Sequence, residues 1–139
     1  MPILKSVVVW LVIIAVETAH GIVRGLWIQP AIGDMPARQL GVPVACALNF
    51  LVAWLFIRWL RPTAGQALWI GALWVVLTVA FEIGLGLALG LPFARIAQDY
   101  DLTQGGLMPL GLLLLGLSPW LALRLRRVTP ARPSDRAGQ

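Results

Sequence analysis

The chain has 139 residues, of which 59% are hydrophobic and 12% are charged, and its formal net charge is +5. A soluble domain carries about 25% charged residues, so the composition excludes an ordinary soluble protein. The single cysteine, Cys46, excludes an intramolecular disulfide framework. We predict an all-α membrane protein with one transmembrane domain over residues 1–125 and a tail over residues 126–139.

Four apolar stretches predict a four-transmembrane-helix bundle. They cover about residues 6–27, 39–59, 67–91 and 106–123. Each is long enough to cross roughly 30 Å of hydrocarbon at about 1.5 Å per residue. No internal repeat divides the chain, and the first stretch is no cleavable signal peptide because an acidic residue interrupts its apolar core.

The first span carries three ionisable residues in the sequence "AVETAHGIVRG". Glu17, His20 and Arg24 are spaced by three and four residues, which places them on one stripe of a helix. Gly21 and Gly25 form an adjacent stripe of small residues, and such a stripe predicts close packing against another helix. Glu17 and His20 also form a Glu-x-x-His pair, a spacing that supplies metal ligands in helical bundles.

The second span begins with polar residues. Asp34 is a candidate N-cap and Pro36 suits the first helical turn. Arg38 and Gln39 follow at the same end of the span, and Asn49 lies near its middle. These side chains are expected to face the polar stripe of the first span.

The third and fourth spans differ in character. The third contains Glu82, followed at intervals of four by Gly86 and Gly90, which predicts a second glycine-lined face. The fourth is apolar on all sides as far as Ser118, so we expect it to form a wall facing lipid or another subunit.

The connection before the fourth span predicts a short interfacial helix. In "LPFARIAQDYDLTQGG", apolar side chains from Phe93 to Tyr100 fall on one face, while Arg95 and Asp99 lie opposite them. Asp101 and Gln104 have the spacing of a capping box for the fourth span.

The distribution of basic residues predicts that both termini lie in the cytoplasm of a bacterial inner membrane. Eight of the eleven lie on the side of the termini: Lys5, Arg58, Arg61, Arg124, Arg126, Arg127, Arg132 and Arg136. The tail is expected to be disordered and to attract anionic lipid. It is short and has no aromatic residue, so no nucleic-acid partner is predicted.

Charged groups inside the bilayer must be neutralised, because one at its centre costs about 2.5–3.5 kcal/mol. We therefore expect a polar pocket in the outer half of the bundle, covered by an outer lid. The predicted pocket residues are Glu17, His20, Arg24, Arg38, Gln39 and Glu82. The predicted lid residues are Asp34, Arg95, Asp99, Tyr100 and Asp101.

Four functions remain open for this pocket. The first is transport or permeation of a proton or small polar solute through a homo-oligomer. The second is a structural or accessory role in a larger membrane complex, with the charges as interhelical ion pairs. The third is a metal site of Glu17, His20 and Glu82, although no resident cofactor is predicted. The fourth is an enzyme at the membrane surface, which is disfavoured because no catalytic motif is found.

Overall fold

A computed structural model describes residues 2–128 as a helical bundle without any β-strand in that range. Four of its helices are long and apolar enough to cross a membrane, which confirms the predicted four-span architecture. The helices are α1 (Pro2–Val23), α2 (Gln29–Ile32), α3 (Asp34–Leu60), α4 (Ala64–Ala88), α5 (Phe93–Asp99) and α6 (Met108–Val128). A π-helical stretch covers Arg24–Ile28, and a 3-10 turn covers Leu102–Gln104.

The first and last spans are longer than the sequence predicts. The first is nearly continuous over Ile3–Ile32, because Pro30 lies in the first turn of α2 instead of ending the helix. The last helix continues to Val128, so the first three residues of the predicted tail are helical. Residues 129–139, which make up the rest of that tail, lie outside the described residues.

Helix α6 packs against two other spans, α3 and α4. The expectation that it forms a lipid-facing or subunit-facing wall is therefore wrong for one of its faces, where Leu115, Ser118 and Ala122 are buried. Its backbone meets α4 where Gly71 faces Gly116, and only small residues permit this approach. Leucines remain exposed on its opposite face.

Helices α1 and α4 run parallel and are joined near their N-terminal ends. Trp74 Nε1 donates to the Ser6 carbonyl oxygen at 2.9 Å, and Trp10 Nε1 donates to Thr78 Oγ1 at 3.1 Å. Trp10 also meets the Phe81 ring edge to face. Beyond these contacts a cavity separates the two helices, and it is lined from both sides.

The glycine stripe of α1 does not pack as predicted. A Cβ atom added at Gly21 or Gly25 would have no neighbour within 4 Å in the part of the chain that the structure describes. On α4, Gly86 does receive a partner, since the Ile96 side chain of α5 lies against it. Gly90 adopts a positive φ of 76° and follows the end of α4 instead of packing.

One end of the bundle, which we call the basic end, collects most of the described cations. Lys5 Nζ lies 5.2 Å from the Trp59 ring centroid, and Arg126 Nε donates to the Trp54 carbonyl oxygen at 2.9 Å. The N-terminus of α1 therefore lies beside the C-terminal ends of α3 and α6. The basic residues at this end are Lys5, Arg58, Arg61, Arg124, Arg126 and Arg127, and the opposite end holds Arg24, Arg38 and Arg95.

Candidate functional site

A cavity of about 420 Å³ lies between α1, α3, α4 and α6, away from the basic end. All six residues predicted for the polar pocket line it: Glu17, His20, Arg24, Arg38, Gln39 and Glu82. Of the predicted lid residues, Asp99 lines it as well. A cavity of this size is within the range of small-molecule sites, about 300–1,000 Å³.

The polar stripe of α1 ends in the π-helical stretch that begins at Arg24. The Arg24 carbonyl oxygen accepts from the Gln29 amide five residues on, which widens the helical turn there. One turn earlier, Glu17 Oε2 and His20 Nδ1 are 3.8 Å apart. π-Helical turns inside spans often occur at functional sites, and this one lies directly at the cavity wall.

A glycine on α3 makes room for the side chains of α1. An added Cβ at Gly41 would lie 3.2 Å from Arg24 Cδ and 3.5 Å from His20 Cε1. Gly41 is also buried and lines the cavity. The Arg24 side chain therefore lies across a notch in α3, and a larger residue at position 41 would displace it.

Two acceptor oxygens in the cavity wall lack a hydrogen-bond partner among the described residues. They are Glu17 Oε1 and Asn49 Oδ1, and both atoms are buried. Asn49 is only 8% exposed and lies within electrostatic and hydrogen-bonding reach of Glu17 without a well-formed bond to it. A buried acceptor without a hydrogen-bond donor is costly. Protonation of Glu17, or a water or ligand that donates a hydrogen bond, would therefore stabilise this region.

Glu82 faces the same cavity from α4. It lies within electrostatic range of both Glu17 and Arg24, yet neither Glu82 nor Arg24 forms an ion pair within 4 Å inside residues 2–128. One arginine thus lies near two carboxylates without direct contact to either. This arrangement leaves both carboxylates available to a third group.

Four charged residues over the cavity form a closed cycle of ion pairs, which we call the ion-pair ring. Arg38 pairs with Asp34 at 3.1 Å and with Asp99, and Arg95 pairs with Asp34 at 3.2 Å and with Asp99 at 3.3 Å. The ring joins α3 to α5 and contains two positive and two negative charges. Asp34 serves in this ring instead of capping α3, whose N-cap is Gly33.

The ion-pair ring predicts a positive coupling between Arg38 and Asp99. Each single change, Arg38→Met or Asp99→Asn, leaves three charges that do not balance, whereas the double change leaves the neutral Asp34–Arg95 pair. We expect the double change to lower the free energy of unfolding by about 1–2 kcal/mol less than the two single changes added together. This difference should become smaller at high salt. Equilibrium unfolding in detergent micelles measures the four members of the cycle.

The matched control for this cycle pairs Arg38→Met with Asp101→Asn. Asp101 is partly exposed and lies outside the ring. Its change should add to that of Arg38 without coupling, because the two residues share no partner. Equal coupling in both cycles would contradict the ring.

The remaining two lid residues have separate surroundings. Burial, together with the nearby Glu82 carboxylate, raises the pKa of the Tyr100 phenol above its usual value. The phenol oxygen is buried and has no hydrogen-bond partner among the described residues. Asp101 Oδ1 accepts from the Thr103 amide at 2.9 Å and from its hydroxyl, and these bonds lower the pKa of Asp101.

Asp101 therefore caps the 3-10 turn and not the fourth span. The predicted capping box with Gln104 is wrong, because α6 begins only at Met108 and Gln104 donates its backbone amide to the Asp101 carbonyl oxygen. Gly105 and Gly106 separate the turn from α6. An added Cβ at Gly106 would lie 2.2 Å from the Gln98 carbonyl oxygen, so the chain can pass there only with glycine.

The three residues considered as metal ligands do not form a metal-binding group. Within residues 2–128, no three His, Cys, Asp or Glu side chains are arranged so that they could hold one ion. Glu17 and His20 are neighbours, but Glu82 lies across the cavity on another helix. Glu17 and His20, which have the Glu-x-x-His spacing, belong to the polar stripe of α1.

No family model, curated protein or solved structure matches this chain. The chemistry of the cavity is therefore the main indication of its function.

Among the cavity residues that sequence reasoning missed are Gly41 and Thr78, which line it from α3 and α4. A signal for Gly41 exists, because a glycine close to polar residues within a span often marks a close approach of side chains or backbone. No signal in the sequence indicates Thr78, whose role depends on the position of Trp10.

Proposed function

We propose that this protein is a multi-pass protein of a bacterial inner membrane that transports or conducts a proton or a small polar solute. The observation that carries the proposal is a cavity lined by ionisable residues from three spans. Ionisable groups within spans are costly, and they usually mark a pathway or a binding site. A chain of this length would complete such a pathway as a homo-oligomer.

The charge of the cavity region supports movement of a proton. Its carboxylates are Glu17, Glu82 and the two of the ion-pair ring, and its permanent cations are Arg24, Arg38 and Arg95. Four negative and three positive charges leave one negative charge when His20 is neutral. Uptake of one proton would remove this charge, and release of the proton to the other side would restore it.

The orientation proposed for the chain puts both termini in the cytoplasm and the cavity toward the outer face. The basic end carries six of the nine basic residues within residues 2–128, and cytoplasmic ends carry such an excess. The cavity lies away from that end, beside α5, which we propose lies in the outer interface.

Labelling of single cysteines tests this orientation in a Cys46→Ser background. Gly65→Cys lies in the first turn of α4 at the basic end, and Leu102→Cys lies in the 3-10 turn near the cavity; both positions are exposed. In intact bacterial cells we expect a membrane-impermeant maleimide to label the Leu102→Cys variant and to spare Gly65→Cys. The reverse pattern would contradict the orientation.

Flux into liposomes tests the function. The purified protein is reconstituted with a pH-sensitive dye inside, and a potassium gradient with valinomycin drives protons inward. We expect faster acidification than in protein-free liposomes, either without an added solute or only with a gradient of glycine, glycerol or benzylamine. Rates equal to those of protein-free liposomes under all these conditions, at pH values from 5 to 9, would contradict transport.

A structural or accessory role is the second candidate, and one observation favours it for part of the cluster. The ion-pair ring links α3 to α5 and neutralises itself, so its four residues need no ligand. The open Gly21–Gly25 face of α1 would suit a second copy or another subunit of a larger complex. Under this reading the cavity would be filled by a partner and would conduct nothing.

A further inference from the structure

We propose that the cavity binds a small protonated amine that carries an apolar substituent. This inference rests on the proposed function, because the amine is taken to be the solute that exchanges with the proton. It goes further by naming the ligand class and the atoms that recognise it. Three features support it: two unpartnered acceptor oxygens, one missing positive charge, and apolar walls.

The two acceptor oxygens without a partner favour a ligand that carries N–H donors. Glu17 and Asn49 both line the cavity, and Glu17 Oε1 and Asn49 Oδ1 are buried without a partner among the described residues. Asn49 is itself more than nine-tenths buried, so bulk water does not compensate for the missing bond. A primary ammonium group offers three donors from one compact centre, as lysine does. One such group in the cavity could supply donors to both residues.

The unbalanced negative charge of the cavity region favours a monovalent cation. The ion-pair ring neutralises itself, and Arg24 offsets only one of Glu17 and Glu82. One bound monovalent cation would make the cavity region neutral. A second cation would give the cavity region a net positive charge. A neutral ligand would leave one carboxylate without a compensating charge in a medium of low dielectric constant.

Much of the remaining wall is apolar. Phe81 and Leu85 of α4 and Leu112 and Leu115 of α6 line the cavity, as does Ile13 of α1. These side chains would surround a hydrocarbon or aromatic substituent while the ammonium group lies between Glu17 and Asn49. Ligand sites commonly combine such walls with a few convergent polar atoms.

Proton and amine would compete for the same negative charge. The ammonium ion enters with its own proton, the proton held by the Glu17–Glu82 pair leaves to solvent, and no covalent bond changes. The titratable or charged groups facing that pair are His20 of α1, Arg24 of the π-helical stretch, Arg38 and Cys46 of α3, Asp99 of α5, and Tyr100 after it. Binding should therefore weaken as the pH falls and the pair becomes protonated.

Three matched probes test the chemistry on the full-length protein in lipid nanodiscs by isothermal titration calorimetry. Benzylamine, which is protonated at pH 7.5, supplies charge and donors. Benzyltrimethylammonium keeps the charge without N–H donors, and benzyl alcohol keeps the ring without the charge. We expect benzylamine to bind at least tenfold more tightly than either analogue. We also expect proton release upon binding, measured in two buffers of different ionisation enthalpy.

Substitution of Asn49 tests the acceptor. Asn49→Leu retains the side chain's approximate size and removes only the polar amide, so the affinity for benzylamine should fall about tenfold, while benzyltrimethylammonium should be nearly unaffected. Gln66→Leu makes the same change at the basic end, outside the cavity, and should leave both affinities unchanged. Should Asn49→Leu fail to fold, the probe series on the wild-type protein remains decisive.

The outcomes separate this inference from the proposed function. Equal binding of all three probes, or no benzylamine binding by a protein that still conducts protons, would overturn the amine site and leave transport intact. Absence of both binding and flux would overturn both proposals. Benzylamine binding without any flux would support the site and contradict transport.

Discussion

Replacing Glu17 by glutamine should reduce proton or proton-coupled flux to the level of protein-free liposomes without destabilising the bundle. Glutamine is nearly isosteric with glutamate but cannot take up or release a proton. The substitution also removes the one negative charge that the cavity region leaves unbalanced. The free energy of unfolding is therefore expected to be unchanged or slightly increased, measured in detergent beside the flux assay.

This combination of results distinguishes a functional glutamate from a structural one. If Glu17 served only to pair with His20 or Arg24, its neutralisation would lower the unfolding temperature and change no flux. Arg58→Gln is the control, since it removes a charge from an exposed position at the basic end and should leave flux unchanged. Loss of stability with retained flux in Glu17→Gln would contradict the transport proposal.

The membrane spans could be predicted because they depend on local composition. Four long apolar runs are visible in the sequence, and the structure has four helices of matching position. The convergence of the polar residues was also open to prediction. Glu17, His20 and Arg24 share one helical stripe, and charges in hydrocarbon must find each other or water. The same energetic argument applies to Glu82 on α4, so these side chains were expected in one pocket.

The details of the lid could not be predicted, because they depend on contacts between distant segments. Asp34 has the position of a helix cap in the sequence, yet Arg38 and Arg95 bind its carboxylate instead. Asp101 has the spacing of a cap for the fourth span, but Gly105 and Gly106 let the chain turn before that helix begins. In both cases a local rule was outweighed by geometry from another part of the chain.

The packing of α6 was misjudged for a related reason. An apolar helix offers no pattern that separates a lipid-facing side from a protein-facing side, because hydrocarbon and leucine are equally apolar. The informative residue was Gly116, whose small size permits contact with α4. Its meaning becomes clear only with its partner, Gly71, which lies 45 positions earlier.

Replacing Gly71 by alanine should be the most destabilising small substitution in the bundle. A Cβ atom there would lie 1.8 Å from the Gly116 carbonyl oxygen and 2.7 Å from its carbon, so the clash is with backbone and cannot be relieved by a rotamer change. Helices α4 and α6 would have to move apart along their main contact. We expect a loss of about 3 kcal/mol or more in the free energy of unfolding, measured by denaturant titration in micelles.

Glycines nearby supply a graded control for that measurement. Gly84→Ala on the same helix adds a Cβ with no neighbour within 4 Å among the described residues, and should be neutral or slightly stabilising because alanine favours helix. Gly116→Ala adds one at 3.2 Å from Val75 Cγ2, a side chain that can shift, and should fall between the two. Equal stability of Gly71→Ala and Gly84→Ala would mean that α4 and α6 can separate without cost. The cavity wall that α6 supplies would then depend on its contact with α3.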